Sequence, residues 1–275
     1  MPIPRARCLV RLGAVLLTLA LPLRGANAQR PGRGFGRYFG RREMPDTTAH
    51  NPPYDGRFTF ARIAFTTNSP AGFYYMGLPA WAHGYPNSER NLMHIMRTVS
   101  LLDTHPDQTV VVRLGDPLLF KYPVSYMTEG DFWGMTDAEA ADLRAYLLKG
   151  GFVIFDDFRD DFRDNDQGWA NFATQMHRVL PQSQIVDLKP SDPIFHSFFD
   201  IDSFGIVPQY YDRGPPVFRG IYADNDPTKR LMVMINFNTD VSNFWEFSAE
   251  GWYPVAESNE AYKLGVNYVI YALTH

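Results

Sequence analysis

Cysteine is all but missing: of 275 residues the only one is Cys8. It lies at the edge of the first apolar segment, too early to be the acylated cysteine of a lipoprotein. The rest of the chain therefore has no thiol nucleophile, no thiolate metal ligand and no disulfide. Several signature loops are absent as well. The sheet-forming part has no Gly-x-Ser-x-Gly elbow for a serine nucleophile, no Gly-x-Gly-x-x-Gly turn and no lysine-bearing phosphate loop. There is no His-Glu-x-x-His and no Asp-x-Asp-x-Asp-Gly calcium loop. His50, His83, His94, His105, His177, His196 and His275 are scattered, which gives zinc no ligand spacing. His196, in the turn after Asp192-Pro193, reads as a structural histidine.

One long hydrophobic run exists, Leu12 to Leu23, and it is shorter than the roughly 20 residues that cross a bilayer. Arg5, Arg7 and Arg11 precede it and Ala26-Asn27-Ala28 follows. This is the three-part secretory signal, with residues 1–28 removed before Gln29, a periplasmic or secreted product and no integral membrane span after cleavage. The signal takes four arginines and no acid with it, so the formal charge of -4 becomes -8. An acidic product argues against nucleic acid and anionic lipid as partners.

What is present describes a packed globule: 45% of residues are apolar and 15% aromatic, a composition a disordered chain does not have. Residues 29–56, Gly-Arg-rich around Arg33-Gly34-Phe35-Gly36-Arg37, read as a flexible tether. Residues 57–275 read as one domain. Strands are expected at Phe58 to Phe65, Val110 to Leu114, Pro123 to Met127, Phe152 to Phe155, Ile185 to Leu188 and Leu231 to Ile235. Helices are expected after Asn87 as N-cap, with Leu92, Ile95, Met96 and Val99 on one face. Others follow the Thr136/Glu139 capping box, from Trp169 to Val179 and from Ser258 to Leu273. A helix that hands over through Gly150-Gly151 to the wholly apolar Phe152 to Phe155 implies a parallel α/β sheet covered on both faces.

Ligands of such sheets bind beyond the carboxyl ends of the strands. That rule selects Arg113, Asp116, Thr128, Glu129, Asp156, Asp157, Asn236 and Asn238 as candidate site residues. Asp156-Asp157-Phe158-Arg159-Asp160-Asp161 is the densest polar group and continues through Asp164 and Asp166. Asp156, Asp157 and Asp160 are candidate ligands of a divalent cation, and Asp156 or Asp157 a candidate general acid or base. The alternative is a solvated acidic loop. Phe158 or Trp169 could offer a stacking face. Trp245, Phe247, Trp252 and Tyr253, beside Glu246, form either a sugar platform or a packing cluster. Glu89 and Arg90 either pair locally or face the site.

Many phrases in one order resemble a bacterial exported family known as domain of unknown function 4159, grouped with the class I glutamine-amidotransferase-like proteins. They include Tyr85-Pro86 with Glu89-Arg90-Asn91, Tyr126-Met127-Thr128, Gly150-Gly151-Phe152 running into Asp156-Asp157, Asp192-Pro193-Ile194-Phe195-His196, Arg219-Gly220-Ile221-Tyr222, Ile235-Asn236 and Trp245-Glu246. The resemblance implies a flavodoxin-like open, mostly parallel sheet. Glutaminases of that superfamily carry a cysteine on the turn after a central strand, where this chain has Asp156-Asp157. The resemblance also implies a histidine where Phe237 stands, and phenylalanine moves no proton. Cysteine-dependent glutaminase chemistry is excluded. Two functions remain: a non-enzymatic module binding a small polar or carbohydrate ligand, or a cell-envelope protein, at the carboxyl edge of the sheet; or an aspartate-based, metal-assisted hydrolase of glycosides or amides.

Overall fold

The computed structural model describes residues 51–67, 74–75, 78–160, 167–205 and 214–275. The signal, most of the tether, and Asp161, Asp164 and Asp166 lie outside the described residues. The elements run β1 (Ala61–Ala64), β2 (Thr66–Thr67), β3 (Tyr74–Tyr75), β4 (Leu78–Pro79), α1 (Asn87–Val99), β5 (Val110–Arg113), β6 (Val124–Thr128), β7 (Trp133–Gly134) and α2 (Asp137–Leu148). They continue with β8 (Phe152–Phe158), α3 (Gly168–Val179), β9 (Val186–Asp187), β10 (Val217–Tyr222), β11 (Leu231–Phe237), α4 (Val241–Glu246) and α5 (Val255–Thr274).

Seven strands form one sheet in the order β5-β1-β6-β8-β11-β10-β9. The first five are parallel, and β10 and β9 add antiparallel at one edge. Residues alternate between two apolar layers, as the two-residue period of a strand requires. Val153, Phe155, Val233 and Ile235 pack with α2 and α3 through Leu143, Leu147, Phe172 and Met176. Phe152, Ile154, Tyr126 and Met234 pack with α1, α4 and α5 through Leu92, Met96, Trp245 and Leu264. Helices thus cover both faces, which is why β8 carries no polar residue before its carboxyl end. No helix among the described residues is long and apolar enough to cross a membrane.

The Thr136 capping box forms as expected: Glu139 N–H donates to Thr136 Oγ1 at 3.2 Å and Thr136 N–H to Glu139 Oε2 at 2.7 Å. Asn87 is not an N-cap but the first residue of α1, and Pro86 holds the cap position without a side-chain bond. The preceding turn supplies the acceptors instead, since Ser88 N–H donates to Gly84 O and Arg90 N–H to Pro86 O. The last residues of the expected tether are tied to the domain. The Asn51 carboxamide donates to Val111 O and accepts from Val111 N–H, closing the outer edge of β5, and Asp55 accepts from His105 Nε2 at 2.9 Å.

Candidate functional site

Three adjacent parallel strands end in left-handed residues: Glu129 after β6 (φ 54°), Asp157 within β8 (φ 58°) and Asn238 after β11 (φ 60°). For an L-residue this conformation costs roughly 1–2 kcal/mol. Such backbone persists where the surroundings over-determine it, and it clusters at binding and catalytic sites.

The register explains how the two adjacent aspartates separate. Ile235 pairs with Phe155, but the next pair is Phe237 with Phe158, so Asp156 and Asp157 together oppose the single residue Asn236. This is a β-bulge, which inserts one residue and re-aims the side chains around it. Its effect is visible in the core, where Phe155 and Phe158 both enter the α2/α3 layer although three residues apart. The expected strand Phe152 to Phe155 therefore continues to Phe158 and carries the site within it.

Asp156 faces the α1/α4/α5 layer and is fully buried. Its carboxylate accepts from Tyr126 OH, Asn236 Nδ2 at 3.1 Å, Val241 N–H at 3.2 Å and Ser242 N–H at 2.9 Å. Burial pushes its pKa up to about 6, against the donors and with the help of Asp157. With four protein donors committed to it, Asp156 is an anchor for the start of α4, not an open metal ligand or general base.

Asp157 turns the other way and meets His83. Its Oδ2 lies 2.5 Å from His83 Nδ1, and Glu129 Oε1 lies 3.1 Å from the same nitrogen. Each of the three residues has a ligand atom within 4.8 Å of the others', and the group could hold a metal ion. Burial and the neighbouring Asp157 carboxylate push Glu129 up to about 7, opposed by His83. Burial works against a charged His83, but Asp157 and Glu129 outweigh it and raise its pKa well above the usual value. Asp240, which caps α4 through Asn243 N–H at 2.9 Å, is raised well above the carboxylate range by burial and then by Asp157. Without a cation the cluster thus retains protons near neutrality.

The loop carrying His83 is held from below by Arg62, buried in the middle of β1. Arg62 Nε donates to Glu89 Oε1 at 2.5 Å, and Nη1 reaches Trp81 O at 3.1 Å, His83 O at 3.0 Å and Thr128 Oγ1 at 2.9 Å. Gly84 follows His83 at φ 71°, and a Cβ there would sit 2.6 Å from Ser88 Oγ, so the turn into α1 requires glycine.

Of the expected site residues, Glu129 and Asp157 join the cluster, Thr128 borders it, and Asn236 supports it through Asp156 and through Tyr268 OH at 3.0 Å. Asn238 is spent on the backbone, donating to Gly214 O at 2.9 Å and Pro215 O at 3.0 Å. Asp160 accepts from Trp169 N–H at 2.8 Å at the start of α3 and stands outside the triad. Arg113 and Asp116 are exposed at the end of the edge strand β5, separated from β8 by β1 and β6, and Asp116 caps Leu118 N–H. Trp245 is no sugar platform: it is fully buried, donates Nε1–H to Ala261 O at 2.8 Å and packs on Tyr126. Phe247 stacks on Trp252 and Phe244 packs tilted against Tyr253, a packing cluster built around a short helix. Glu246 is buried on that helix. Glu89 bonds Arg62, not Arg90. His196 is structural, bonded to Asp200 and Pro190 O. A cavity of about 250 Å³ lined by Val186, Lys189, Tyr222 and Asn225, among others, contains none of the expected residues.

His83 and Arg62 are the residues sequence reasoning passed over. His83 shares no motif with its partners, which come from β6 and β8. Arg62 did leave a signal, a lone cation inside the apolar run Phe58 to Phe65.

Fold and site together define an α/β protein with one parallel-centred sheet and, at its carboxyl edge, a cluster of two buried carboxylates with a partly exposed histidine. Residues 63–273 match the family described as Domain of unknown function (DUF4159), and the chain belongs to that family. No curated protein matches it.

Proposed function

We propose that this chain is an exported domain that takes up a divalent cation on His83 Nδ1, Glu129 Oε1 and Asp157 Oδ2 and uses its open positions to bind a small polar ligand. The convergence of the three residues, each with a ligand atom within 4.8 Å of the others', carries the reading. Ligand atoms on one first-row metal, bonded at about 2.1 Å, stand about 3 Å apart. The His83–Glu129 spacing of 3.1 Å already fits. The His83–Asp157 distance of 2.5 Å opens once a cation replaces the proton between them. One imidazole and two carboxylates without sulfur favour manganese, iron, cobalt or zinc over calcium, which takes oxygen ligands. Three protein ligands leave positions for water or for oxygen atoms of a ligand such as a sugar.

The strand order supports a flavodoxin-like, amidotransferase-like assignment. Numbered by sequence, the five parallel strands run 2-1-3-4-5, the doubly wound order that opens its crevice beside the first strand at the carboxyl edge. His83 lies on the connection from β1 to α1, and Glu129 and Asp157 lie at the carboxyl ends of β6 and β8 along that same edge. The hydrolase reading keeps one support: a cation there would also activate water, with Asp157, not Asp156, at the reacting end.

Titration of the metal-free mature chain with Mn²⁺, Co²⁺ and Zn²⁺ in a thermal-shift assay tests the proposal. A saturable rise in melting temperature that Asp157→Asn abolishes is expected. Multiple turnover of a glycoside or amide, dependent on the same cation, would replace binding by hydrolysis.

A further inference from the structure

We infer that Arg62 is the positioning residue of this site, setting the distance between His83 and Glu129 from beneath. The inference rests on the triad reading above.

The two ligands come from segments with no direct continuity. His83 ends a short 3-10 turn, Ala80–Ala82, that follows β4 on the connection from β1 to α1, and Glu129 follows β6. One guanidinium nitrogen, Arg62 Nη1, touches both segments. It reaches the carbonyls of Trp81 and His83 on one side and the hydroxyl of Thr128, next to Glu129, on the other, all within 3.1 Å. A planar guanidinium with fixed donor directions sets such spacing where the flexible, compact ammonium of lysine does not. The charge is stabilised by Glu89 of α1, which accepts from Nε, and the group lies 4.9 Å from the Tyr126 ring centroid. Tyr126 in turn donates to Asp156, the anchor of α4. The segment from Glu89 through Arg62 thus joins α1, the His83 turn and β6 into one support.

A buried arginine with a carboxylate partner also contributes to the fold, so loss of stability alone would not distinguish positioning from structure. Partners of metal ligands typically change affinity by 10–100-fold, and that is the effect expected here. The test uses Arg62→Lys, Thr128→Val and Thr128→Ser in the mature chain, with three readouts: Co²⁺ affinity, the imidazole ¹⁵N shifts of His83 in metal-free protein, and the urea midpoint. Arg62→Lys is expected to weaken Co²⁺ binding about tenfold or more and to move the His83 resonances. Thr128→Val should move both in the same direction by less, and Thr128→Ser should restore them. A folded Arg62→Lys protein with the parent's Co²⁺ affinity and His83 shifts overturns the inference. Should Arg62→Lys not fold, the threonine pair decides, and His83 shifts in Thr128→Val identical to the parent overturn it. Should the parent take up no cobalt, the cation reading fails, while the metal-free His83 shifts still decide the positioning role.

Discussion

Asp156 and Asp157 are adjacent in sequence and opposite in role, so replacing each should have opposite consequences. Asp156→Ala leaves Tyr126 OH, Asn236 Nδ2 and the amides of Val241 and Ser242 without their acceptor in a site closed to water. A buried donor left unsatisfied costs about 1–3 kcal/mol. Four of them sharing some relaxation, less the relief of removing a carboxylate whose pKa is already raised to about 6, come to about 3–5 kcal/mol in all. Asp157→Asn loses one hydrogen bond to His83 but ends the repulsion with Glu129 and Asp240, so metal-free stability should stay within about 1 kcal/mol of the parent. Urea denaturation of the metal-free mature chain reads both. The Asp156→Ala midpoint should fall by about 1–2.5 M for a slope of about 2–3 kcal/mol/M, and the Asp157→Asn midpoint should hardly move while cation binding is lost. Equal midpoints for Asp156→Ala and the parent would refute the anchoring role and return Asp156 to the list of open site acids.

Stability of the metal-free chain should fall as pH rises from about 4 to above 7, read by urea midpoints across that range. Glu129 and Asp156 are raised to about 7 and about 6, so the folded state keeps protons the unfolded chain has lost; that stability is complete below the unfolded pKa values and disappears as pH rises through the folded ones. His83 is raised as well, so its share is present below its unfolded pKa and lost above its folded one, in the same direction, and each extra proton is worth about 1.4 kcal/mol per pH unit. Cation affinity should rise over the same window because the ion displaces those protons, and a pH-independent affinity by calorimetry would count against the triad as ligands. Cleavage between Ala28 and Gln29 should appear as an N-terminus at Gln29 in protein recovered from the periplasm, and a start at Met1 would contradict export by a cleaved signal. Purified mature chain should release no ammonia from glutamine, and release abolished by one substitution would overturn the argument from the missing thiol.

Much of the scaffold was legible because it obeys local rules. The Thr136/Glu139 capping box and the Gly150-Gly151 stop mark both ends of α2, and the apolar Phe152 to Phe155 announces a strand covered on both faces. What was not legible is non-local. The bulge at Asp156-Asp157 depends on pairing with Asn236, and a run that is apolar at every position has no alternation to reveal a slipped register. The strand β10 and the short helix α4 were also missed. The first runs antiparallel between β11 and the edge strand β9, with a glycine inside it, and the second is six residues long, stabilised by Asp156 and Asp240 more than by its own propensity. Thr128, Glu129, Asp156, Asp157 and Asn236 were reachable through the rule that sites form at carboxyl ends. Arg113 and Asp116 obeyed the same rule but sit on the edge strand. His83 became a partner only when β1, β6 and β8 were placed side by side.

The most direct test of the account is calorimetric titration of the metal-free mature chain with Mn²⁺, Co²⁺ and Zn²⁺ at pH 8, parent against Asp157→Asn. One saturable site in the parent is expected, giving about 2.7 kcal/mol of added stability at a hundredfold excess over Kd, with no binding in Asp157→Asn. Absence of binding by all three ions in the parent, or unchanged binding in Asp157→Asn, would contradict the claim that His83, Glu129 and Asp157 form a cation site.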